Sequence, residues 1–520
     1  MRYCVLALAF SAGLSPRAVA LELSVPRVNG DVSRTLLGDG TGVIVGIIDS
    51  GVDDLHPALM GLDSLANPRL VAEANFVATE PGNSGDDVQG RGTAVAAVVL
   101  GNDVTNTGLA TDARYINSRT LSSSGTFNTD AWVVDAAGFA VDNGADIVNM
   151  TLSLSAVGSD GSSRLSLMSD YIAQALDIPV VVSAGENGNE ASPQNRPRGP
   201  ADAFNVFSVA ASEAPGYNQV ADFSSFGSNG PLEDGRIRPN ISAPGQAITT
   251  ANDDHEIEPD FEDQTGTRFA APHVSGMLAQ QIEYGRDNGL STDTLVLKAT
   301  MLNSAEKIDD RDGNAWEPFF SQEISGVFST DRPLDNQSGT GQIDGARLAE
   351  QFMAGEQGWR GGRYRLWDLN AISDGETIDY VIDGFLAVGS TLTATLNWHR
   401  HVGINDDGDG VIDSGDTFFQ SELLDNLDLS VLLDGNLIAE SVSTVDNIEH
   451  LHLPITQSGQ YTIRVSGTTV GGSPSEAFGL AWFGTALSSP GIIPEPASGG
   501  WLGAILVATL AMRRRRSRAR

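Results

Sequence analysis

Cysteine and positive charge are what this chain has least of. One cysteine occurs in 520 residues, Cys4, inside a leader-like N-terminus. Cut behind that leader, the chain has no thiol, which excludes disulfides, cysteine-ligated zinc and thiol nucleophiles. Lys and Arg total 31 against 67 Asp and Glu, a formal net charge of −36. Eight of those 31 are arginines near the ends, Arg2, Arg17 and six from Arg513 to Arg520, which leaves 23 in the body. A nucleic-acid binder needs a basic footprint, so that class is excluded. The acidic excess suits a soluble protein outside the cytoplasm, in salt or calcium, although solubility alone is the simpler account.

Hydrophobic residues make up 41% and charged residues 19%, enough for a large core and too apolar for wholesale disorder. The 58 glycines favour many tight turns and a strand-containing fold. The length allows two or three domains. Residues 1–20 combine Arg2, an apolar stretch over 5–14 and the small-x-small site Ala18-Val19-Ala20, the pattern of a signal peptide cut near Ala20. The other end reads Pro494-Glu495-Pro496, an apolar run over 501–512, then Arg513 to Arg516. That run is short for a bilayer span, and the arginines would hold it on the cytoplasmic side. The tripartite pattern over 494–520 resembles the PEP-CTERM sorting signal of Gram-negative bacteria. The resemblance implies transient anchoring in the inner membrane through a short transmembrane segment, then release to the outer surface or extracellular matrix.

Between the ends, two textures alternate. Residues 36–352 hold short β-branched runs bounded by Gly or Pro, at 43–48 (VIVGII), 146–152 (DIVNMTL) and 179–183 (PVVVS), which read as buried parallel strands. A helical stretch over 131–143 ends before Gly144, a suitable C-cap. Strand, helix and strand in succession indicate an α/β domain with a mostly parallel sheet. Over 365–487 the runs at 392–398, 427–433, 450–453 and 461–465 are separated by Gly/Asp turns, as in an antiparallel β-sandwich. Residues 488–500 form a Ser/Pro/Gly linker.

Four motifs of the first domain fall in a fixed order: Ile47-Ile48-Asp49-Ser50-Gly51, Gly90-Arg91-Gly92-Thr93, Ser183-Ala184-Gly185-Glu186-Asn187-Gly188 and Gly266-Thr267-Arg268-Phe269-Ala270-Ala271-Pro272. With 221–227 (ADFSSFG), 239–245 (PNISAPG) and 339–345 (GTGQIDG), they resemble the subtilisin-like serine peptidases, or subtilases. The resemblance implies the subtilisin-like three-layer α/β fold and serine-type peptide-bond hydrolysis. It also implies that Asp49 holds the triad Asp position, Arg91 the His position, Arg268 the Ser position and Glu186 the oxyanion Asn position, with Asn187 one residue late.

These departures bear directly on the chemistry. A guanidinium stays protonated at pH 7 and is neither a general base nor an acyl-forming nucleophile. A carboxylate where the oxyanion forms repels the developing charge. His56, His273 and Thr267 lie near these motifs and are the residues to consider as substitutes. Family contacts put Arg91 beside Asp49 and Arg268 beside Glu186, which implies two ion pairs sealing the former site. In the competing reading both arginines stay free to receive acidic ligands. Thr151-Leu152-Ser153-Leu154 matches the substrate-pairing strand, with side chains at Leu152, Ser153 and Leu154 that narrow the cleft while leaving main-chain pairing available.

The second domain carries Asn405, Asp407, Asp409, Asp413 and Asp416 in an EF-like spacing, with Gly410 at the sixth position. That pattern reads as a Ca2+ loop between strands, and equally describes a solvated acidic turn. The surrounding strands resemble the bacterial pre-peptidase C-terminal domain. The whole implies a secreted, surface-sorted subtilase homologue that has lost peptidase activity and binds a peptide or protein segment as a scaffold. Two alternatives stay open: an active serine endopeptidase with a displaced nucleophile, and an adhesin holding extracellular polysaccharide or matrix through the sandwich.

Overall fold

The computed structural model describes residues 21–484 apart from 83–84, 155–159, 229–234, 254–259, 358–364 and 383–385. The expected signal peptide, linker and sorting signal lie outside these residues. Among the described residues no helix is long and apolar enough to cross a membrane.

The apolar run before Asp49 becomes the central strand β1 (Ile44–Asp49) of a seven-stranded sheet. Its neighbours are β2 (Leu70–Asn75), β3 (Arg114–Arg119), β4 (Ile147–Met150), β5 (Val180–Ser183), β6 (Phe207–Ser212) and the strand Ile241–Pro244, in the order β2-β3-β1-β4-β5-β6 and last Ile241–Pro244. Every pairing in this sheet is parallel, with Asp49 opposite Arg119 at the C-terminal edge. Helices cover both faces, so β4, β5 and β6 are buried along their full length and show no alternation. Those helices include α3 (Arg91–Leu100), α4 (Asp130–Asp142), α5 (Arg164–Ala175) and α6 (Thr267–Asn288), whereas α7 (Thr294–Asn303) packs against strands of the second unit. Residues before the expected boundary at 36 also join this core: α1 (Leu21–Arg27) buries Leu21 and Val25 in it, and Val28 follows in the turn before α2 (Gly30–Leu37).

The second unit is an antiparallel sandwich of a six-stranded and a four-stranded sheet. The expected strands appear as Thr391–Trp398, Asn426–Leu433, Ile448–Pro454 and Tyr461–Thr469. The six-stranded sheet also recruits the hairpin Phe320–Ile324 and Val327–Arg332, which the sequence placed in the first domain and which joins it by a parallel pairing with Asn436–Ser441. The strand Glu476–Gly484 lies on α7 so closely that a Cβ on Gly479 would sit 2.2 Å from the Leu295 carbonyl oxygen. Two ion pairs buried at the seam join the units, Arg238 with Asp446 at 3.1 Å and Arg400 with Asp170 at 3.4 Å. Burial pushes the Asp170 carboxyl up to about 6 despite Arg400. The first-domain core continues into Trp367, Ile448 and Ala481 of the sandwich, while most of the sandwich interior is a core of its own.

One buried histidine ties the N-terminal helix to this interior. His273 on α6 has Nδ1 2.8 Å from the Phe269 carbonyl and Nε2 3.0 Å from the Ser24 hydroxyl on α1. Burial lowers its pKa to about 4. The unfolded chain, with histidine near ~6.5, takes up the proton first. Stability from this group is therefore complete above pH 6.5 and lost as pH falls toward 4. Relative to His273→Gln, the protein loses about 2–3 kcal/mol between pH 7 and 4.5. Urea unfolding of both proteins at the two pH values reads this difference, and parallel pH profiles would refute it.

Candidate active-site cleft

A carboxylate ending a buried strand must be met by donors, and Asp49, 1% exposed, meets them at once. Its Oδ1 accepts the Ser50 amide at 2.7 Å, and its Oδ2 accepts the Thr151 hydroxyl in a short hydrogen bond. Thr151 can reach because β4 lies beside β1 and the chain continues past its end. Arg91 opens α3, directly over the same edge. Its Nε lies 3.8 Å from Asp49 Oδ1, and one of its terminal nitrogens donates to the Thr151 carbonyl at 3.1 Å. The helix comes this close because residue 92 is glycine: a Cβ there would stand 1.8 Å from the Gly51 carbonyl oxygen.

Asp87 organises the approach and was not singled out from sequence. Its carboxylate accepts the amides of Gln89, Gly90 and Thr93 and the hydroxyls of Ser50 and Thr93, all between 2.7 and 3.1 Å. It thereby serves the orphan N–H groups at the start of α3. Desolvation raises its pKa in spite of those donors. The signal was present as an Asp shortly before a Gly-x-Gly-Thr helix start, but the eye goes to the motif.

Arg268 is the second residue of α6, and Thr267 beside it accepts the Gly185 amide at 3.1 Å. A cation at a helix N-terminus opposes the helix dipole. Glu186 answers it: Arg268 Nε donates to Oε1 at 2.9 Å, and a second guanidinium nitrogen makes a shorter bond to Oε2. Burial by itself would lower the Arg268 pKa; the hydrogen bond and charge of Glu186, with Asp49 behind, outweigh it and raise it. Gly266, at φ +152°, leaves the room, since a Cβ there would fall 2.3 Å from Glu186 Oε1.

Asp49 and three of its expected partners thus come together. Arg91, Glu186 and Arg268 line one cleft of about 450 Å³ with Leu152, Ser153 and Leu154. Residues 151–154 leave the sheet after β4, and the Leu154 amide donates to the Gly199 carbonyl at 2.8 Å. Among the described residues no histidine lines this cleft. His273 is buried under α1, and His56 is buried with Nε2 3.0 Å from the Asp260 carbonyl. Asn187 does not line it either, and its amide is held by the Ser225 hydroxyl at 2.9 Å.

The acidic run 405–416 closes a hairpin between Val402–Asn405 and Thr417–Gln420. Carboxylate oxygens of Asp406, Asp407 and Asp409 lie within 4.8 Å of one another. Asp413 stands near Asp407 across Gly415. Asp416 is buried and turned to the main chain, accepting the amides of Asp407 and Asp413 at 3.1 Å. The Asn405 side-chain amide donates to the Thr417 hydroxyl at 3.2 Å. The oxygen-rich donor set fits a hard cation at 406–409, and Asp416 serves as the loop's internal anchor. The hairpin tip rests on the first domain, where Arg164 donates to the Ser414 and Asp416 carbonyls at 2.9 and 2.7 Å.

The model of the Subtilase family matches residues 40–341. The chain is 31% identical to subtilisin DY of Bacillus licheniformis over 264 residues, 50% of this chain and 84% of that protein. It is 28% identical to thermitase of Thermoactinomyces vulgaris over 54% of this chain and 86% of that one. Over 46% of this chain and 76% of the other, it is 30% identical to a subtilisin of Bacillus pumilus.

The Arg268–Glu186 pair is a two-pronged contact with side chains 25% and 34% exposed. A double-mutant cycle with Arg268→Met and Glu186→Gln should return a coupling of about 0.5–1 kcal/mol, reduced in high salt. Additive single mutants in low salt would show that the pair does not hold the cleft in solution.

Proposed function

The chain belongs to the subtilase family, and from that premise we propose that it no longer hydrolyses peptides and instead binds a peptide or protein segment as an exported scaffold. One observation carries this reading: among the described residues no histidine lines the cleft, Arg268 is bonded to Glu186, and the Arg91 guanidinium stands 3.8 Å from Asp49. A serine peptidase needs a base to take the nucleophile's proton and donors aimed at the oxyanion. Here a guanidinium faces Asp49, and the Glu186 carboxylate occupies the edge where donors would be required. The same ion pairs support the closed reading of the two arginines over a free acidic-ligand receptor. Leu152, Ser153 and Leu154 are the segment an extended peptide would lie against.

The remaining parts of the reading rest on sequence pattern. A signal peptide over 1–20 and a sorting signal over 494–520 would take the protein to the outer surface. The sandwich has the place and texture of a pre-peptidase C-terminal domain. The loop at 405–416 is proposed as a Ca2+ ligand on its oxygen spacing and the approach of Asp406, Asp407 and Asp409. Isothermal titration with Ca2+ should give heat that Asp407→Asn with Asp409→Asn removes; no heat from the wild type would reject that part.

For the cleft, a fluorophosphonate probe should leave the purified protein unlabelled. Arg91→His with Arg268→Ser should still give no measurable peptide hydrolysis, because Glu186 continues to oppose the oxyanion. Adding Glu186→Asn should bring turnover at least about tenfold above the detection limit that the double variant fails to reach. Labelling of the wild type would revive the peptidase reading. Full turnover in the double variant would refute the role given to Glu186.

A further inference from the structure

At the root of the acidic hairpin, three separate segments of the sandwich bring one imidazole and three carboxylates together. His401 follows the strand Thr391–Trp398, Glu422 and Asp425 precede Asn426–Leu433, and Glu476 begins Glu476–Gly484. His401 Nε2 is 2.8 Å from Glu476 Oε2. One ligand atom each from His401, Asp425 and Glu476 lies within 4.8 Å of the others. Glu422 is near enough to add its charge to the imidazole.

This is more than a group of acids. Asp425 is 3% exposed and Glu476 2%. Asp425 Oδ1 accepts the Gly471 amide at 2.8 Å, but its Oδ2 is buried with no hydrogen-bond partner. Glu422 Oε2 is buried and unpartnered as well. Among the described residues, no lysine or arginine is ion-paired with any of the three carboxylates. Even a charged His401 neutralises one of them and leaves two. Buried carboxylate charge without a counterion is costly, so the arrangement calls either for a proton shared between Glu476 and Asp425 or for a further cation. Packing also shapes the place: a Cβ on Gly472 would fall 1.6 Å from Glu422 Oε2, so only glycine lets that carboxylate turn inward.

We propose that His401, Asp425 and Glu476, with Glu422 as a fourth oxygen donor, form a structural site for a divalent transition metal of the Zn2+ class. Neutral imidazole with carboxylates is a donor set for Zn2+ or Mn2+, whereas Ca2+ takes oxygen alone. The site would fasten both ends of the hairpin 402–420 to the strand Glu476–Gly484. Through that hairpin it would steady the contact with Arg164 on α5. It is separate in residues and chemistry from the oxygen-only loop at the hairpin's tip.

The test uses the full chain, stripped with chelator and titrated with Zn2+ by calorimetry, with metal content read by mass spectrometry. One equivalent of Zn2+ should bind and raise the thermal midpoint, and Co2+ in its place should give visible d–d bands. Both should persist in Asp407→Asn with Asp409→Asn, which alters only the tip. His401→Gln and Glu476→Gln should each weaken Zn2+ binding at least tenfold. Asp425→Asn, close in shape and checked for native circular dichroism, serves if either of those fails to fold. No uptake by the wild type, uptake unchanged in Asp425→Asn, loss in the tip variant, or tighter binding of Ca2+ than Zn2+ would each overturn the assignment.

Discussion

The carboxylate of Asp49 is the constraint around which the cleft is built. It ends a central strand, almost fully buried, and its charge must be balanced within reach. The Ser50 amide, the Thr151 hydroxyl and the Arg91 guanidinium do this from three different segments. Arg268 then stands in the field of both Asp49 and Glu186, so the site alternates in sign from strand end to helix start. Each replacement makes electrostatic sense only beside the others. An arginine at 91 without Asp49, or at 268 without Glu186, would leave a half-buried cation facing a helix N-terminus.

Much of the first domain was legible because buried parallel strands advertise themselves. VIVGII and PVVVS are β-branched, short and bounded by Gly or Pro, and they occur as β1 and β5 within a residue or so of the expected limits. The helix over 131–143 appears as Asp130–Asp142 for the same reason of spacing. The meeting of Asp49, Arg91, Glu186 and Arg268 was legible only through family resemblance, since residues up to 219 positions apart carry no local signal of contact.

What escaped reading has physical causes too. Glu476–Gly484 is buried along nearly all its length, with α7 on one face and the sandwich on the other, so it shows no alternation to recognise. The hairpin over 320–332 is exposed and polar along much of its length and joins the second sheet across a long sequence gap. Residues 21–35 fall between the expected signal peptide and the expected start of the domain, yet Leu21, Val25 and Val28 are buried in its core. The gathering of His401, Asp425 and Glu476 depends on three loops meeting, which no spacing rule encodes.

The continuation of the first core into the sandwich bears on how the molecule comes into being. Residues of the last strand, Ala481 among them, complete a core that begins at Leu21. Until that strand is made, one edge of the first core stays uncovered, although most of that core lies within residues 21–352. Full native packing must wait until nearly the whole polypeptide is present, and until then that edge is exposed to whatever holds nascent chains soluble.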